Sequence, residues 1–98
     1  MFTINHKKCP NGLMVIITDT NLLGKYVHEG NRQLDLRSEF YKGEELDEEK
    51  TKVIMNSASV LHLTGIHTIT LAKKLNILEE EDRILIVQDI PHAEIVRE

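Results

Sequence analysis

Apolar and polar residues alternate at the start of the chain and then give way to a continuous apolar run. Phe2 and Ile4 alternate with polar neighbours, a pattern typical of a strand with one buried face. Residues 13–18 are almost entirely apolar and predict a strand that is buried on both faces. Between them stands Asn11-Gly12, a dipeptide suited to the positive φ angles of a tight hairpin turn. Residues 1–19 are therefore predicted to form a β-hairpin.

The next segment carries first a helical and then a strand pattern. Residues suited to cap a helix at 19–21 precede apolar residues at 22, 23, 26 and 27, a spacing that predicts a short helix over about 21–28. Leucines at 34 and 36 alternate with polar residues and predict a half-buried strand over 33–37. Residues 40–43 are predicted to form a compact loop with the aromatic rings turned inward.

The second half of the chain alternates between helix and strand patterns. Asp47, with acidic residues directly behind it, predicts a helix that continues to about residue 58. Residues 60–63 predict a strand, and the helix after it begins at Gly65. Residues 83–87 predict another apolar strand, and 88–92 a loop or a strand extension that leads to a polar tail.

These elements follow in the order β-β-α-β-α-β-α-β, which predicts a mixed α/β fold. The strand, helix and strand over 60–87 imply a right-handed parallel crossover, whereas the first hairpin is antiparallel. The expected architecture is a small mixed sheet of about five strands, opened by the N-terminal hairpin and covered by two to three helices. The 98 residues are expected to form one domain.

Composition and charge narrow the class of protein. Hydrophobic residues make up 41% and charged residues 29% of the chain, which is ordinary for a globular protein and too apolar for disorder. The formal net charge of −4 argues against a general DNA binder, since non-specific affinity for phosphates comes from Lys and Arg. No apolar run approaches the ~20 residues that span a bilayer, and no signal peptide pattern opens the chain. We therefore expect a cytoplasmic protein without membrane contact.

Several short motifs follow one another along the chain in a characteristic order and spacing. They are Leu23-Gly24-Lys25, Glu29-Gly30, Phe40-Tyr41-Lys42-Gly43, Gly65 at the start of a helix, and Pro91-His92-Ala93. In combination they resemble the archaeal family known as domain of unknown function 424, and the likeness covers roughly residues 2–93. The sequence departs from the family pattern at His67, at Thr68 and at the hairpin tip.

The resemblance implies an archaeal, cytoplasmic protein of mixed α/β fold without an established activity. It also implies a family that is associated with translation and other information-processing functions. No catalytic residue can be carried over to this sequence, because none is established for the family.

The topology supplies a candidate ligand site. If strands 60–63 and 83–87 run parallel, the loops after them emerge at one edge of the sheet, where α/β folds bind ligands. Gly65 would let an anion approach the free N–H groups of the helix start, and a histidine would add a proton or a positive charge. The candidate ligand-binding residues are Thr64, Gly65, His67, Thr68, Asp89 and His92. The alternative is that Gly65 only permits a tight turn and that the threonines only cap the helix.

Basic and aromatic residues are interleaved in the first half of the chain. Lys25, Tyr41 and Lys42 are the candidate partner-binding residues, with Tyr26 and Phe40 close by in sequence. Such a patch suits a protein or a structured RNA as partner. The alternative is that the aromatic rings fill gaps in the core and that the basic residues balance neighbouring acids.

The sequence contains none of the motifs that identify common enzyme chemistry. No phosphate-binding loop, dinucleotide fingerprint, zinc-binding helix motif or nucleophile elbow occurs. The chain has five histidines and one cysteine, and these residues do not have the spacing of a metal site. Asp89 and His92 would make a carboxylate–imidazole pair, but no nucleophile stands out beside them. We therefore expect no catalytic residues, no metal and no cofactor.

Two hypotheses about function remain. The first is a non-enzymatic accessory or binding module for a protein or structured RNA, linked to translation or RNA metabolism. The second is a small enzyme or an anion- or nucleotide-binding domain that uses the loops around Gly65 and His92. An enzyme should bring those loops together around a concave site, whereas a binding module should show basic or apolar surface elsewhere.

Overall fold

The structure of the protein is a computed structural model that describes residues 1–10, 12–79 and 82–97. Its strands are β1 (Phe2–Cys9), β2 (Gly12–Asp19), β3 (Tyr26–Glu29), β4 (Arg32–Asp35), β5 (Glu44–Leu46), β6 (Val60–Thr64), β7 (Leu85–Val87) and β8 (Ile90–Val96). Its α-helices are α1 (Glu48–Ser57) and α2 (Ile66–Lys74), and two 3₁₀ turns cover Thr20–Leu22 and Glu39–Tyr41.

Six strands form one mixed sheet in the order β5-β1-β2-β6-β8-β7, and β3 and β4 form a separate two-stranded sheet. Within the large sheet, β2 and β6 run parallel, and the other neighbouring pairs run antiparallel. The predicted mixed α/β fold is confirmed, with six strands in the main sheet where about five were expected.

The N-terminal hairpin has the predicted form. β1 and β2 pair from Phe2 with Asp19 to Cys9 with Gly12. The side chains of 15–17 are at most 1% exposed, as expected for a strand covered on both faces. Gly12 has a positive φ of 129°, and the other residue of the predicted tip, at position 11, lies outside the described residues.

The predicted helix over 21–28 is wrong. Only the 3₁₀ turn Thr20–Leu22 forms there, and the chain then continues into β3. Gly24 has a φ of 88°, which stops a helix, and its amide donates to the carbonyl of Leu36. Val27 pairs with Leu34 of β4 instead of lying on a helical face, and Tyr26 is 44% exposed. Cross-strand pairing overrides the local helical spacing here.

The predicted crossover over 60–87 is correct in direction, but its strands are not neighbours. β6 and β7 both run antiparallel to β8, which lies between them. The sequence pattern predicted a loop or a strand extension at 88–92 and a polar tail after residue 92. Ala93 and Ile95 nevertheless face the core at 2% and 8% exposure, so the segment alternates as a half-buried strand.

Hydrophobic cores lie on both faces of the large sheet. On the first face, α1 and α2 pack over the sheet through residues such as Met55 and Ile69, against Leu61 and Leu63. On the second face, Leu22, Leu34 and Leu36 pack against Val87 of β7. Residues 20–43 therefore cover part of the second face, and the remaining part of that face stays accessible.

Candidate functional site

The carboxylate of Asp19 caps the first turn of α2. Asp19 ends β2, and its side chain accepts hydrogen bonds from the amides of His67 at 3.0 Å and Thr68 at 2.8 Å. The hydroxyl of Thr68 donates to the same carboxylate at 2.7 Å. The parallel pairing of β2 with β6 brings the two strand ends side by side, which delivers this carboxylate to the helix. A negative charge at a helix N-terminus is stabilising.

Gly65 forms the sharp turn between β6 and α2 beneath that carboxylate. It has a φ of 109°, which L side chains rarely adopt, and a Cβ at this position would overlap the side chain of Asp19. Its amide donates to the carbonyl of Pro91 at 2.9 Å, which ties the turn to β8. Gly65 is thus needed both for the backbone conformation and for the approach of Asp19.

The amides of His67 and Thr68, two of those expected to bind an external anion, are therefore already bonded within the chain. The sequence proposed an external anion at this turn, whereas in the structure the carboxylate of Asp19 occupies it. Gly65 and Thr68 hold the fold together at this edge of the sheet. Asp19 itself had been interpreted as a cap for the segment that follows it in sequence, and only the pairing of β2 with β6 shows its actual target.

The two predicted loops do meet at this edge. They enclose a small cleft of about 130 Å³ lined by Asp19, Asn21, Leu22, Ile66, His67, Asp89, Ile90 and Pro91. His67 and Asn21 also line a neighbouring cavity of about 510 Å³ together with Met1, Phe2, Thr20 and Glu45. Asp89 sits in the two-residue turn between β7 and β8, where both Gln88 and Asp89 have positive φ.

Thr64 and His92 face the second side of the sheet, away from this cleft. The two residues are register partners in β6 and β8, and Thr64 Oγ1 lies 2.7 Å from His92 Nδ1. The six candidate ligand-binding residues therefore divide into two groups. Gly65, His67, Thr68 and Asp89 lie at the sheet edge, and Thr64 and His92 belong to a different surface.

Four rings in successive contact cross the second face of the sheet; we call them the ring row. The ring centroids of Tyr41 and Phe40 are 5.1 Å apart and those of Phe40 and His62 are 5.3 Å apart, both in edge-to-face geometry. His62 and His92 follow at 6.1 Å. The row joins Tyr41 and His92, which the sequence had assigned to separate candidate sites.

Charged groups surround the ring row. The ammonium of Lys7 lies 5.0 Å from the ring centroid of Phe40, within the range of a cation–π contact. A carboxylate oxygen of Glu94 lies 3.5 Å from Nε2 of His62. At the His92 end, a cavity of about 380 Å³ is lined by Arg83, Leu85, His92 and Glu94.

Burial determines the protonation of His92. Burial lowers the pKa of this imidazole below its usual value, and the neighbouring His62 lowers it further, while Glu94 acts in the opposite direction. His92 is therefore neutral near pH 7, with one ring nitrogen engaged by Thr64. Burial also raises the pKa of Tyr41, so that its hydroxyl stays protonated.

The three candidate partner-binding residues have different surroundings in the structure. Tyr41 is half-buried against the second core, and the exposed Lys42 forms an ion pair of 2.8 Å with Glu39. Lys25 is exposed, and its main chain bonds to Leu22 and Leu36. Tyr41 alone of the three has its side chain in the ring row.

Phe40 and His62 are the central members of the ring row, and sequence reasoning did not place them together. His62 alternates with the buried Leu61 and Leu63, so its position on the second face is readable from β6 itself. The position of Phe40 beside it depends on a long-range contact, in which Asn5 Nδ2 donates to the carbonyl of Phe40 at 2.9 Å. No signal in the local pattern points to that contact.

The described ranges contain no cluster of three or more His, Cys, Asp or Glu side chains suited to a metal ion. In the same residues, no helix is both long and apolar enough to cross a membrane.

A six-stranded mixed sheet with helices on one face and a hairpin over part of the other defines a small α+β protein. A family model described as "Protein of unknown function (DUF424)" matches residues 6–97, and the chain belongs to that family. A crystal structure of an uncharacterized conserved protein from Methanopyrus kandleri is similar, with a TM-score of 0.77 and 15% identity. The match covers 99% of this chain and 93% of that chain and shows a shared fold. No curated protein matches the chain.

Proposed function

We propose that this protein is a binding module without catalytic chemistry of its own, and that it contacts a protein partner in the cytoplasm as an accessory to translation or RNA metabolism. The observation that supports a binding role is the ring row on the accessible part of the second sheet face. The link to translation or RNA metabolism is supported by the family resemblance alone, and the experiment below tests it directly.

The ring row has the properties of a protein contact surface. Its rings are half-buried, and edge-to-face packing holds Phe40 and His62 in place before a partner arrives. A side chain that is already ordered loses little conformational entropy on binding, so more of the contact energy appears as affinity. Aromatic residues are enriched at the energetic centres of interfaces for the same reason.

Charge favours a protein over RNA as the partner. The chain has a net charge of −4, and Glu94 stands beside the central His62, where it would repel a phosphate. Lys7 and Arg83 flank opposite parts of the surface and suit acidic side chains on the partner. A structured RNA is the alternative that the experiment must distinguish.

Affinity capture from native extract tests the proposal, with and without nuclease treatment. The wild type and two variants serve as baits: Phe40→Ala, which removes the second ring of the row, and Ile66→Ala, a matched apolar truncation. Ile66 is 63% exposed and is the first residue of α2, a helix that packs over the first face of the sheet through Ile69. We expect a translation or RNA-processing protein to be recovered by the wild type and by Ile66→Ala in both conditions, and to be lost with Phe40→Ala.

Two further baits show whether a loss of capture with Phe40→Ala reflects the changed surface or a disrupted fold. His62→Gln and Lys7→Gln keep the bulk of each side chain and should each weaken capture, while thermal unfolding confirms that every bait is folded. Capture that disappears after nuclease treatment would identify RNA as the partner. Capture that is equal for Phe40→Ala and Ile66→Ala would contradict a role for the ring row.

A second candidate function, a small-ligand or enzyme site, is favoured by the cavity beside His92. Its volume of about 380 Å³ is within the usual range for ligand pockets. Arg83 offers a positive charge there and His92 a neutral imidazole oriented by Thr64. Native mass spectrometry of the purified protein tests this candidate, since a bound molecule should be retained by the wild type and released by Arg83→Gln and His92→Ala.

A further inference from the structure

β1 has an edge that is only half covered. β1 extends over Phe2–Cys9, but β5 pairs with it only at Phe2, Thr3 and Ile4. The covering chain lies close to β1 up to that point, where a Cβ on Gly43 would overlap the carbonyl of Ile4. Beyond Ile4, the part of the chain that the structure describes pairs no strand with the outer edge of β1.

The uncovered stretch is a place where another strand can add. Residues 6–8 remain in β-conformation because β2 pairs with them along their other edge. An exposed strand edge of this kind presents backbone N–H and C=O groups at the spacing of a sheet ladder. Extended peptides bind such edges by continuing the sheet, with alternate side chains on its two faces.

The open edge is locally basic. His6, Lys7 and Lys8 are consecutive and exposed, within a chain whose net charge is −4. Lysines on an edge strand discourage pairing with neutral or basic strands. Opposite acidic side chains would turn the same lysines into favourable cross-strand pairs.

An apolar groove adjoins the open edge on the helix side of the sheet. It has a volume of about 130 Å³ and is lined by His6, Leu13, Val15, Val53, Ile54, Ser57 and Ala58. Leu13 and Val53 are 42% and 67% exposed, which is high for large apolar side chains. Apolar side chains of an added strand that point to the helix side would cover them.

We propose that the edge formed by His6–Lys8 binds an extended acidic segment of a partner protein by strand addition. Carboxylates of that segment lie opposite Lys7 on the second face of the sheet, and its alternate, apolar side chains point to the helix side, where one next to His6 enters the groove. This inference rests on the proposed function in that the partner is a protein, and it specifies where and by what chemistry that partner binds. Lys7 links the two surfaces, because its ammonium already contacts Phe40 of the ring row.

Two other occupants fit the edge less well. A second copy of the chain, paired about a two-fold axis, would place lysines opposite lysines, which is repulsive. An RNA strand has no amide ladder to continue the sheet, so it would use the two lysines and leave the edge and the groove unfilled.

The test uses a blocked heptapeptide in which three glutamates alternate with two valines between terminal glycines. It is titrated into the ¹⁵N-labelled full chain and followed by amide chemical shifts. We expect shifts centred on 6–8 and on the groove residues Leu13 and Val53, with binding detectable below about 1 mM. The same peptide with N-methylated valines should bind at least about tenfold more weakly, because it cannot complete the ladder.

Matched charge variants test the acidic preference. Lys7→Gln with Lys8→Gln should weaken peptide binding by roughly three- to tenfold. Lys73→Gln with Lys74→Gln, an identical change on the exposed last turn of α2, should leave binding unaltered.

Four results would overturn the inference. They are no shifts at 6–8, equal binding of the N-methylated peptide, tighter binding of an oligouridylate than of the acidic peptide at those lysines, and a dimer in sedimentation experiments that depends on Lys7 and Lys8. The peptide experiment is independent of partner capture through Phe40. Failure of that capture with a successful peptide titration would contradict the proposed function while leaving strand addition intact.

Discussion

The side chain of Asp19 occupies the space that a Cβ on Gly65 would need. A carboxylate at the end of β2 thereby caps a helix that follows a different strand, with its oxygens 3.0 Å or less from three donors on His67 and Thr68. The contact connects the N-terminal hairpin to the second half of the chain. It makes this edge of the sheet a structural junction whose stability can be measured.

Removal of the Asp19 charge should destabilise the fold. We expect Asp19→Asn to lower the free energy of unfolding by about 2 kcal/mol, because a buried carboxylate with several charge-assisted hydrogen bonds is replaced by an amide that cannot accept all of them. Urea unfolding measures the change. Asp47→Asn is the matched control, since this exposed N-cap of α1 receives one amide bond, from Lys50, and should cost about 1 kcal/mol or less.

A side chain added at position 65 should lower the free energy of unfolding more than one added at another glycine with positive φ. We expect Gly65→Ala to lower the free energy of unfolding by about 3 kcal/mol or more, from backbone strain and overlap with Asp19. Gly24→Ala adds a Cβ that meets nothing within 4 Å, so it should cost only the strain, about 1–2 kcal/mol.

A double-mutant cycle separates the two contributions. In an Asp19→Ala background the overlap with the carboxyl group disappears and only that with the Cβ of residue 19, at 2.8 Å, remains, so Gly65→Ala should cost less than it does in the wild type. An unchanged cost in that background would show that Asp19 does not limit the space at position 65.

The imidazole of His92 should make stability depend on pH. Its pKa is lowered in the folded state from the ordinary value of 6.5, so the unfolded chain binds more protons between the two values. The contribution of His92 to stability is therefore fully present above about pH 6.5 and is lost as the pH falls towards the folded pKa. Unfolding measured from pH 7.5 to 5 should show this loss in the wild type and a flatter profile in His92→Gln.

The neighbours of His92 should shift its titration in opposite directions. His62 lowers the pKa of His92 and Glu94 raises it. In a ¹H NMR titration of the imidazole ring, His62→Gln should therefore raise the pKa of His92, and Glu94→Gln should lower it further. Shifts of the same sign in both variants would contradict the arrangement of the second sheet face.

The guanidinium of Arg97 should stabilise the end of α1. It donates to the carbonyls of Met55 and Ala58, the latter at 2.6 Å, where helix carbonyls would otherwise lack partners. We expect Arg97→Lys to lower the free energy of unfolding by about 1–2 kcal/mol, because both hydrogen bonds come from Nη2, which lies one bond farther from the main chain than the ammonium of a lysine. Lys50→Arg, an exchange on the exposed side of α1, should change it by less than about 0.5 kcal/mol.

The elements predicted correctly from the sequence are those with a strong local pattern. The first hairpin, α1 and α2 each combine an apolar period with a turn or capping signal, such as Asp47 at the start of α1. The segment 21–28 has a helical spacing but forms β3, because pairing with β4 and the positive φ of Gly24 outweigh it. β5 is three residues long and has no pattern of its own; it exists because β1 presents an edge to it.

The candidate sites likewise contain residues that the sequence identified and contacts that depend on the pairing of distant strands. Gly65 was recognisable as a special turn from its place between a strand and a helix. Its partner was not, because Asp19 reaches it only through the parallel pairing of β2 with β6. His92 likewise stood out in sequence, whereas its contacts with Thr64 and His62 depend on the register between β8 and β6.

The sequence by itself determined the fold class, the positions of the hairpin and both helices, and the family to which the chain belongs. These follow from the periodicity of neighbouring residues and from short motifs, which act over a few positions along the chain. Only the tertiary structure decided the insertion of β8 between β6 and β7, the Asp19 cap, the ring row and the open edge of β1. Each of these depends on which distant strands pair and in what register, and that choice is made by the burial of the whole sheet rather than by any local pattern.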